Sequence, residues 1–160
     1  NTFITFSSNP ELVEICGQTL EEKLRYIQSS SWEFSTNLEA VFDLILRTAV
    51  NAGTPQEEMP STLFIISDME FNGAVENPDK TIYENAKAAF EAKGYQLPAV
   101  VFHNVSSWQM QTPVRAHTKG TALASGTGTN SFNYKFDGNI TPMDHMLRVL
   151  NSPRYAAVHA

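Results

Sequence analysis

Apolar residues recur along this chain with two different spacings, which predicts an alternation of strands and helices. The first strand-like segment is residues 2–6 (TFITF), which are β-branched and aromatic. A polar break at residues 7–10 separates it from Leu12, Val13 and Ile15, a second short apolar run. Two such runs on either side of an Asn-Pro turn signal predict a β-hairpin.

Two helices are predicted after the hairpin. Thr19 and Glu22 have the spacing of a capping box, and the apolar residues after them recur at helical intervals. The second helix has the strongest signal in the chain, since its apolar positions form one stripe and Gly53 follows as a stop. It can begin with a capping box formed by Thr36 and Glu39. The stripe consists of Leu38, Val41, Phe42, Ile45 and Ala49.

Three apolar runs predict the strands of a sheet, at residues 62–67 (TLFIIS), 97–102 (LPAVVF) and 120–125 (GTALAS). The first run is uninterrupted, which is typical of a strand buried on both faces. A helix is predicted near residues 79–93 and a last one from residue 141, where proline suits the first helical position. Strands that alternate with helices predict one α/β domain with a mostly parallel sheet.

Composition excludes several functional classes. The 160 residues carry a net charge of −6 and no cluster of lysine or arginine, which argues against direct contact with a nucleic-acid backbone. No apolar stretch approaches the roughly 20 residues that cross a bilayer, so no membrane partner is expected. Cys16 is the only cysteine, which favours a reducing compartment such as the cytoplasm.

Two residues are candidates for metal chemistry. Asp68 directly follows the most apolar strand, where ligands bind in open parallel sheets, although an aspartate there can also serve a turn or a helix cap. Thr36 precedes a helix, and its hydroxyl can either cap that helix or ligate a hard cation such as Mg²⁺. Spacing alone does not choose between these roles.

Several phrases resemble a known fold. The segment Ser35-Thr36-Asn37 before LEAVFDLIL, followed by TLFIISDMEF, is similar to the von Willebrand factor A fold. The chain most resembles uncharacterised proteins whose C-terminal part is a von Willebrand A-like domain, related to that of Ro/TROVE ribonucleoproteins. The resemblance covers most of the chain and is carried by FITFSSNPELVEI, VFDLIL, SDMEFN, GTALASG and MLRVLNSPRYA.

The resemblance implies a doubly wound sheet flanked by helices, with a metal-ion-dependent adhesion site at the carboxyl ends of its strands. Thr36 matches the family's metal-binding threonine, and Asp68 matches an aspartate that acts through a water molecule. Ser35, Ser67 and Asn104 are candidates to support these ligands around a Mg²⁺ ion.

The family's Asp-x-Ser-x-Ser motif does not occur in this chain. In the family this motif follows a first strand that precedes the segment resembled here. We therefore expect the first strand to be absent. A missing N-terminal segment, another copy of the chain or a rearranged element would then fill the sheet position beside residues 62–67. Direct pairing of strands 2–6 and 62–67 would contradict this expectation.

The function expected from these residues is non-enzymatic binding of a partner's carboxylate through the Mg²⁺ ion. One alternative is a metal-dependent hydrolase or nucleotide-binding domain, with Asp68 as acid or base and residues 126–130 as a phosphate loop. Another is a degenerate domain that serves only assembly. Ro-like proteins hold RNA mainly with a separate helical-repeat domain, so the resemblance implies no direct RNA contact here.

Other residues give weaker signals. The segment from Ser125 to Asn130 lacks the lysine of a P-loop and the third glycine of a dinucleotide fingerprint, so a tight loop is expected. His103 is expected to be a hydrogen-bonded residue at a strand end, and the remaining histidines lack zinc-site spacing. Trp32 and Phe34 can either fill the core under a loop or form a rim for a partner.

Overall fold

The computed structural model describes residues 2–30, 37–68, 81–105, 114, 118–125, 146–147 and 150–155. The chain divides into two compact units. Among the described residues, the first contains two strands, three α-helices and a 3₁₀ helix at Gln56–Glu58. The strands and α-helices are β1 (Thr2–Ile4), β2 (Leu12–Glu14), α1 (Leu20–Ser29), α2 (Leu38–Ala52) and α3 (Ile82–Ala92). The second contains the strands β3 (Thr62–Ser67), β4 (Ala99–Asn104) and β5 (Thr121–Ser125). This mixture of helices with a parallel sheet confirms the predicted α/β class.

The N-terminal hairpin is present and shorter than its sequence predicts. β1 and β2 pair antiparallel, with Thr2 opposite Glu14 and Ile4 opposite Leu12. Because Ile4 is the last paired residue of β1, residues 5 and 6 belong to the connection and not to the strand. Thr5 is nevertheless buried, so this connection contributes to the packed part of the unit.

Helix α1 begins at the predicted capping box. The Thr19 hydroxyl accepts a hydrogen bond from the Glu22 N–H, and the Glu22 carboxylate accepts from the N–H groups of Thr19 and Gln18. These backbone hydrogen bonds stabilise the ionised carboxylate and hold the pKa of Glu22 below its ordinary value. The capping box therefore fixes the start of a helix that buries none of its residues.

The start of α2 corrects the sequence analysis. The N-cap is Asn37, whose Oδ1 accepts a hydrogen bond from the Ala40 N–H at 3.0 Å. The predicted capping box of Thr36 and Glu39 is wrong, since the first helical residue is Leu38 and the third is Ala40. Asn37, and not Thr36, therefore supplies the acceptor at the start of this helix.

The buried stripe of α2 and its end are close to those predicted. The helix ends at Gly53, whose left-handed φ of 61° is accessible to glycine without strain. Tyr95 donates its hydroxyl hydrogen to the Thr54 carbonyl oxygen at 2.8 Å, which ties the chain after α3 to the end of α2. Ile45 is only partly buried, and Leu46 takes its expected place in the core. The buried residues are Leu38, Val41, Phe42, Leu46 and Ala49.

Helix α3 is built in the same manner as α1 and packs against α2. Thr81 is its N-cap and forms a reciprocal capping box with Glu84, while Gly94 with a φ of 80° follows its end. The buried residues Tyr83, Ala86 and Phe90 form its inner face. Burial disfavours the phenolate and raises the pKa of Tyr83 above its ordinary value.

The three strands of the second unit form a parallel sheet in the order β3-β4-β5. Its central strand β4 is buried on both faces, with Val101 and Phe102 almost inaccessible. The run predicted at 97–102 is shifted by two residues, because Pro98 has no N–H to donate and the ladder begins at Ala99. This shift makes Asn104 the last residue of the strand.

Strand β3 has the predicted bounds, but the prediction that both its faces are buried is wrong. Ile65 is 3 % exposed, whereas Phe64 is 45 % and Ile66 53 % exposed. Phe64 and Ile66 project to the same face of β3 and Ile65 projects to the other, so only one face of this strand is covered. β1 pairs with β2, and the expectation of a missing first strand stays a prediction.

The C-terminal helix predicted from residue 141 falls largely outside the described residues. Met146, Leu147 and Leu150 are helical and exposed, and a 3₁₀ turn covers Pro153–Tyr155. Within the described part of the chain, none of the helices has the length and apolarity needed to span a membrane.

Candidate functional site

A row of polar side chains ends the parallel sheet. Ser67, Asn104 and Ser125 are the last residues of β3, β4 and β5, and the register places Asn104 opposite both serines. Register partners project to the same face of a sheet, and neighbouring strands lie about 4.8 Å apart. Two hydroxyl groups and one amide therefore lie side by side at the carboxyl edge of a sheet whose interior positions are mostly apolar.

Asp68 adds a negative charge to one end of this row. It directly follows Ser67, is exposed, and its Oδ1 accepts a hydrogen bond from the Ser67 hydroxyl at 3.3 Å. The ladder extends past the last pair, since the Val105 N–H donates to the Ser67 carbonyl oxygen at 3.1 Å. Backbone pairing thus fixes the residue before Asp68, while the carboxylate remains accessible to solvent.

The side chains at this edge carry oxygen atoms of the kinds that Mg²⁺ binds. Carboxylate, hydroxyl and amide oxygens are the hard ligands that this ion prefers, and Mg²⁺ retains several water molecules when a protein supplies one or two carboxylates. The described residues contain no group of three or more acidic, histidine or cysteine side chains suited to a metal.

Distance limits how much of the row can serve one ion. Ser125 is two strand spacings from Ser67, about 10 Å along the edge. Ligand oxygens lie about 2.1 Å from Mg²⁺, so one ion cannot be ligated directly from both ends of the row. A cation at Asp68 would therefore lie nearer to Ser67 and Asn104 than to Ser125.

The structure brings together three of the five predicted site residues: Asp68, Ser67 and Asn104. Thr36 and Ser35 lie outside the described residues, as do Trp32, Phe34, the 126–130 loop and three histidines, His117, His145 and His159. Sequence reasoning missed Ser125 as a member of the row. Its signal was present, because it ends the third predicted strand just as Ser67 ends the first.

His103 does not belong to this row. It is 1 % exposed and lies opposite Ile66 and Ala124 in the register. Successive residues of a strand project to opposite faces, so its side chain is on the other face from that of Asn104. Its burial makes it inaccessible to an external ligand at this edge.

Comparison with known proteins shows the family of this chain. The family described as "Domain of unknown function (DUF7788)" matches residues 1–145. The chain belongs to this family. This DUF7788 chain is also 32 % identical over 149 residues to "Uncharacterized protein L728" of Acanthamoeba polyphaga mimivirus. The match covers 92 % of the chain but 26 % of the viral protein, so the chain spans about a quarter of that relative's length. No solved structure matches the chain.

Proposed function

We propose that this DUF7788 chain is a binding module that uses a divalent cation at the carboxyl edge of its sheet to engage a carboxylate of a protein partner. The observation that supports this proposal is the polar row beside Asp68, at the end of an otherwise apolar parallel sheet. Open parallel sheets bind ligands at this edge, and the donor oxygens there suit Mg²⁺.

Charge explains why a cation is needed. The chain has a net charge of −6, so an acidic partner is repelled unless a positive ion lies between the two carboxylates. A Mg²⁺ ion near Asp68 would keep coordination positions that an Asp or Glu of the partner can occupy. This arrangement requires no bond cleavage, so we propose a non-enzymatic module that works as a von Willebrand A-like adhesion site.

An acidic peptide tests this proposal directly. A fluorescently labelled oligo-aspartate peptide is titrated with the protein, in millimolar Mg²⁺ or in EDTA, and its anisotropy is recorded. We expect binding in Mg²⁺ that EDTA abolishes and that Asp68→Asn removes. The matched control is Asp43→Asn, which removes the same charge from an exposed position of α2. Binding that survives EDTA, or that both variants weaken equally, would overturn the proposal.

The sequence prediction for Thr36 is tested separately. Thr36→Val removes the hydroxyl and keeps the shape of the side chain, while Thr36→Ser keeps the hydroxyl. If Thr36 ligates the cation, only the valine variant loses affinity for Mg²⁺. Equal affinity in both variants would show that the Thr36 hydroxyl does not ligate the cation.

We also propose that the module works in a reducing, cytoplasmic setting and makes no direct contact with nucleic acid. The first part rests on Cys16, the only cysteine, which is an exposed free thiol. Exposed thiols persist where glutathione keeps them reduced. The second part rests on the acidic net charge, which opposes binding to a phosphate backbone.

A further inference from the structure

Strand β5 ends with two exposed residues on one face, Leu123 and Ser125. Leu123 is 57 % exposed, whereas its register partner Phe102 is completely buried and Ile65, the next residue in that register, is 3 % exposed. Residues two apart in a strand project to the same face and lie about 7 Å apart, so Leu123 is directly behind Ser125. The end of β5 therefore presents an apolar side chain and a hydroxyl group together, on the face that carries the polar row.

The sheet sets the distance between this pair of residues and Asp68. Ser67 and Ser125 are two strand spacings apart, about 10 Å, and Asp68 directly follows Ser67. An extended peptide advances about 3.3 Å per residue, so three residues span this distance. When a peptide runs along the edge with one residue beside Asp68, the residue three positions away therefore lies at the end of β5.

We propose that the partner at this site is an extended peptide segment with an acidic residue and, three residues away, an apolar residue. This inference rests on the proposed function, because the acidic residue binds the cation beside Asp68. The apolar side chain packs on Leu123, and the Ser125 hydroxyl pairs with the peptide main chain at the same position. A serine hydroxyl can both donate and accept a hydrogen bond, so it suits either an N–H or a C=O group of that main chain.

The chemistry of β5 favours contacts that do not depend on charge. The chain has a net charge of −6, but β5 from Thr121 to Ser125 carries no charged residue. Covering an exposed leucine removes apolar surface from water, which is favourable whatever the charge of the partner. One net hydrogen bond to Ser125 adds about threefold to tenfold in affinity. Neutral residues therefore suit the stretch of the peptide that leads away from its acidic residue.

Competition against the labelled oligo-aspartate peptide, in millimolar Mg²⁺, tests the inference. The competitors are capped peptides that carry one aspartate in a glycine chain and a leucine one to five residues away, on either side. We expect the affinity to peak when the leucine is three residues from the aspartate, at least about fivefold above the peptide without leucine. Leu123→Ser should remove this peak, and Ser125→Ala should weaken binding of the best peptide about threefold to tenfold.

Leu12→Ser and Ser61→Ala are the matched controls. Leu12 is 53 % exposed on β2, and Ser61 is an exposed serine that precedes β3, at the amino ends of the strands. Both variants should bind the best peptide like the wild type, and circular dichroism checks that every variant is folded. An affinity independent of the leucine position, a peak that survives in Leu123→Ser, or unchanged binding by Ser125→Ala overturns this inference alone. If the labelled peptide does not bind in Mg²⁺, the proposed function and this inference are both overturned.

Discussion

Asn104 lies directly opposite Ser67 at the last residue pair of the β3–β4 ladder. Asp68 follows Ser67 and accepts a hydrogen bond from its hydroxyl, so this pair places an amide beside the one carboxylate at the described edge of the sheet. The amide oxygen is a Mg²⁺ ligand of moderate strength, and a carboxylate at the same position would be a stronger one.

Asn104→Asp should therefore increase the affinity for Mg²⁺. A second negative charge within about 4 Å of a divalent ion contributes about 2 kcal/mol even in bulk water, so an increase on the order of tenfold is expected. Isothermal titration calorimetry measures it. Asn51→Asp makes the same chemical change at an exposed position near the end of α2 and should leave the affinity unchanged. An equal response of both variants would mean that net charge, and not position, attracts the ion.

Asn37→Ala should destabilise the first unit. The substitution removes the acceptor of the Ala40 N–H, and loss of an N-cap typically costs about 1 kcal/mol of the free energy of unfolding. Urea denaturation followed by circular dichroism measures the change. Asn37→Ser keeps a capping oxygen and should lose much less stability. An alanine variant as stable as the wild type would show that Asn37 is not the effective cap.

Alkaline pH should destabilise the protein through Tyr83. Burial raises the pKa of this phenol above 10.0, so the folded state resists ionisation that the unfolded state permits. The stabilisation is complete below pH 10.0 and is lost as pH rises through the higher pKa of the folded state. Tyr83→Phe should flatten the fall of the free energy of unfolding above pH 10.0, measured by urea denaturation at several pH values. An unchanged slope would contradict this assignment.

Low pH should destabilise the first turn of α1. The backbone hydrogen bonds from Thr19 and Gln18 lower the pKa of Glu22 below 4.5, so ionised Glu22 stabilises the folded helix above that pH. This contribution is lost as pH falls through the lower pKa of the folded state. Amide exchange at residues 18–22, recorded by NMR, should accelerate there in the wild type. Glu22→Gln should show faster exchange already at neutral pH and no such acid step.

The sequence predicts those elements whose signals are local. Thr19 and Glu22 form the capping box that their spacing indicates, and Gly53 ends α2 in the left-handed conformation. The start of α2 shows the limit of this reasoning. Two residues with capping side chains, Thr36 and Asn37, adjoin there, and the spacing to Glu39 favoured the wrong one.

The exposure of a strand and its register against its neighbours are harder to predict from sequence than the strand itself. The apolar run at β3 indicates a strand, but the exposure of Phe64 and Ile66 depends on what packs over that face of the sheet. Ser125 was missed for the same reason, since only the register of β5 against β4 shows that it lies next to Asn104. The position of Asp68 was predictable because it depends only on where β3 ends.

An NMR titration of the ¹⁵N-labelled protein with Mg²⁺ tests most directly whether a divalent cation binds at Asp68. We predict that the amide signals of Ser67, Asp68, Asn104 and Val105 shift first and saturably, and that Asp68→Asn removes these shifts while Asp43→Asn keeps them. Shifts that do not saturate, that spread over all acidic residues alike, or that persist in Asp68→Asn would contradict the claim.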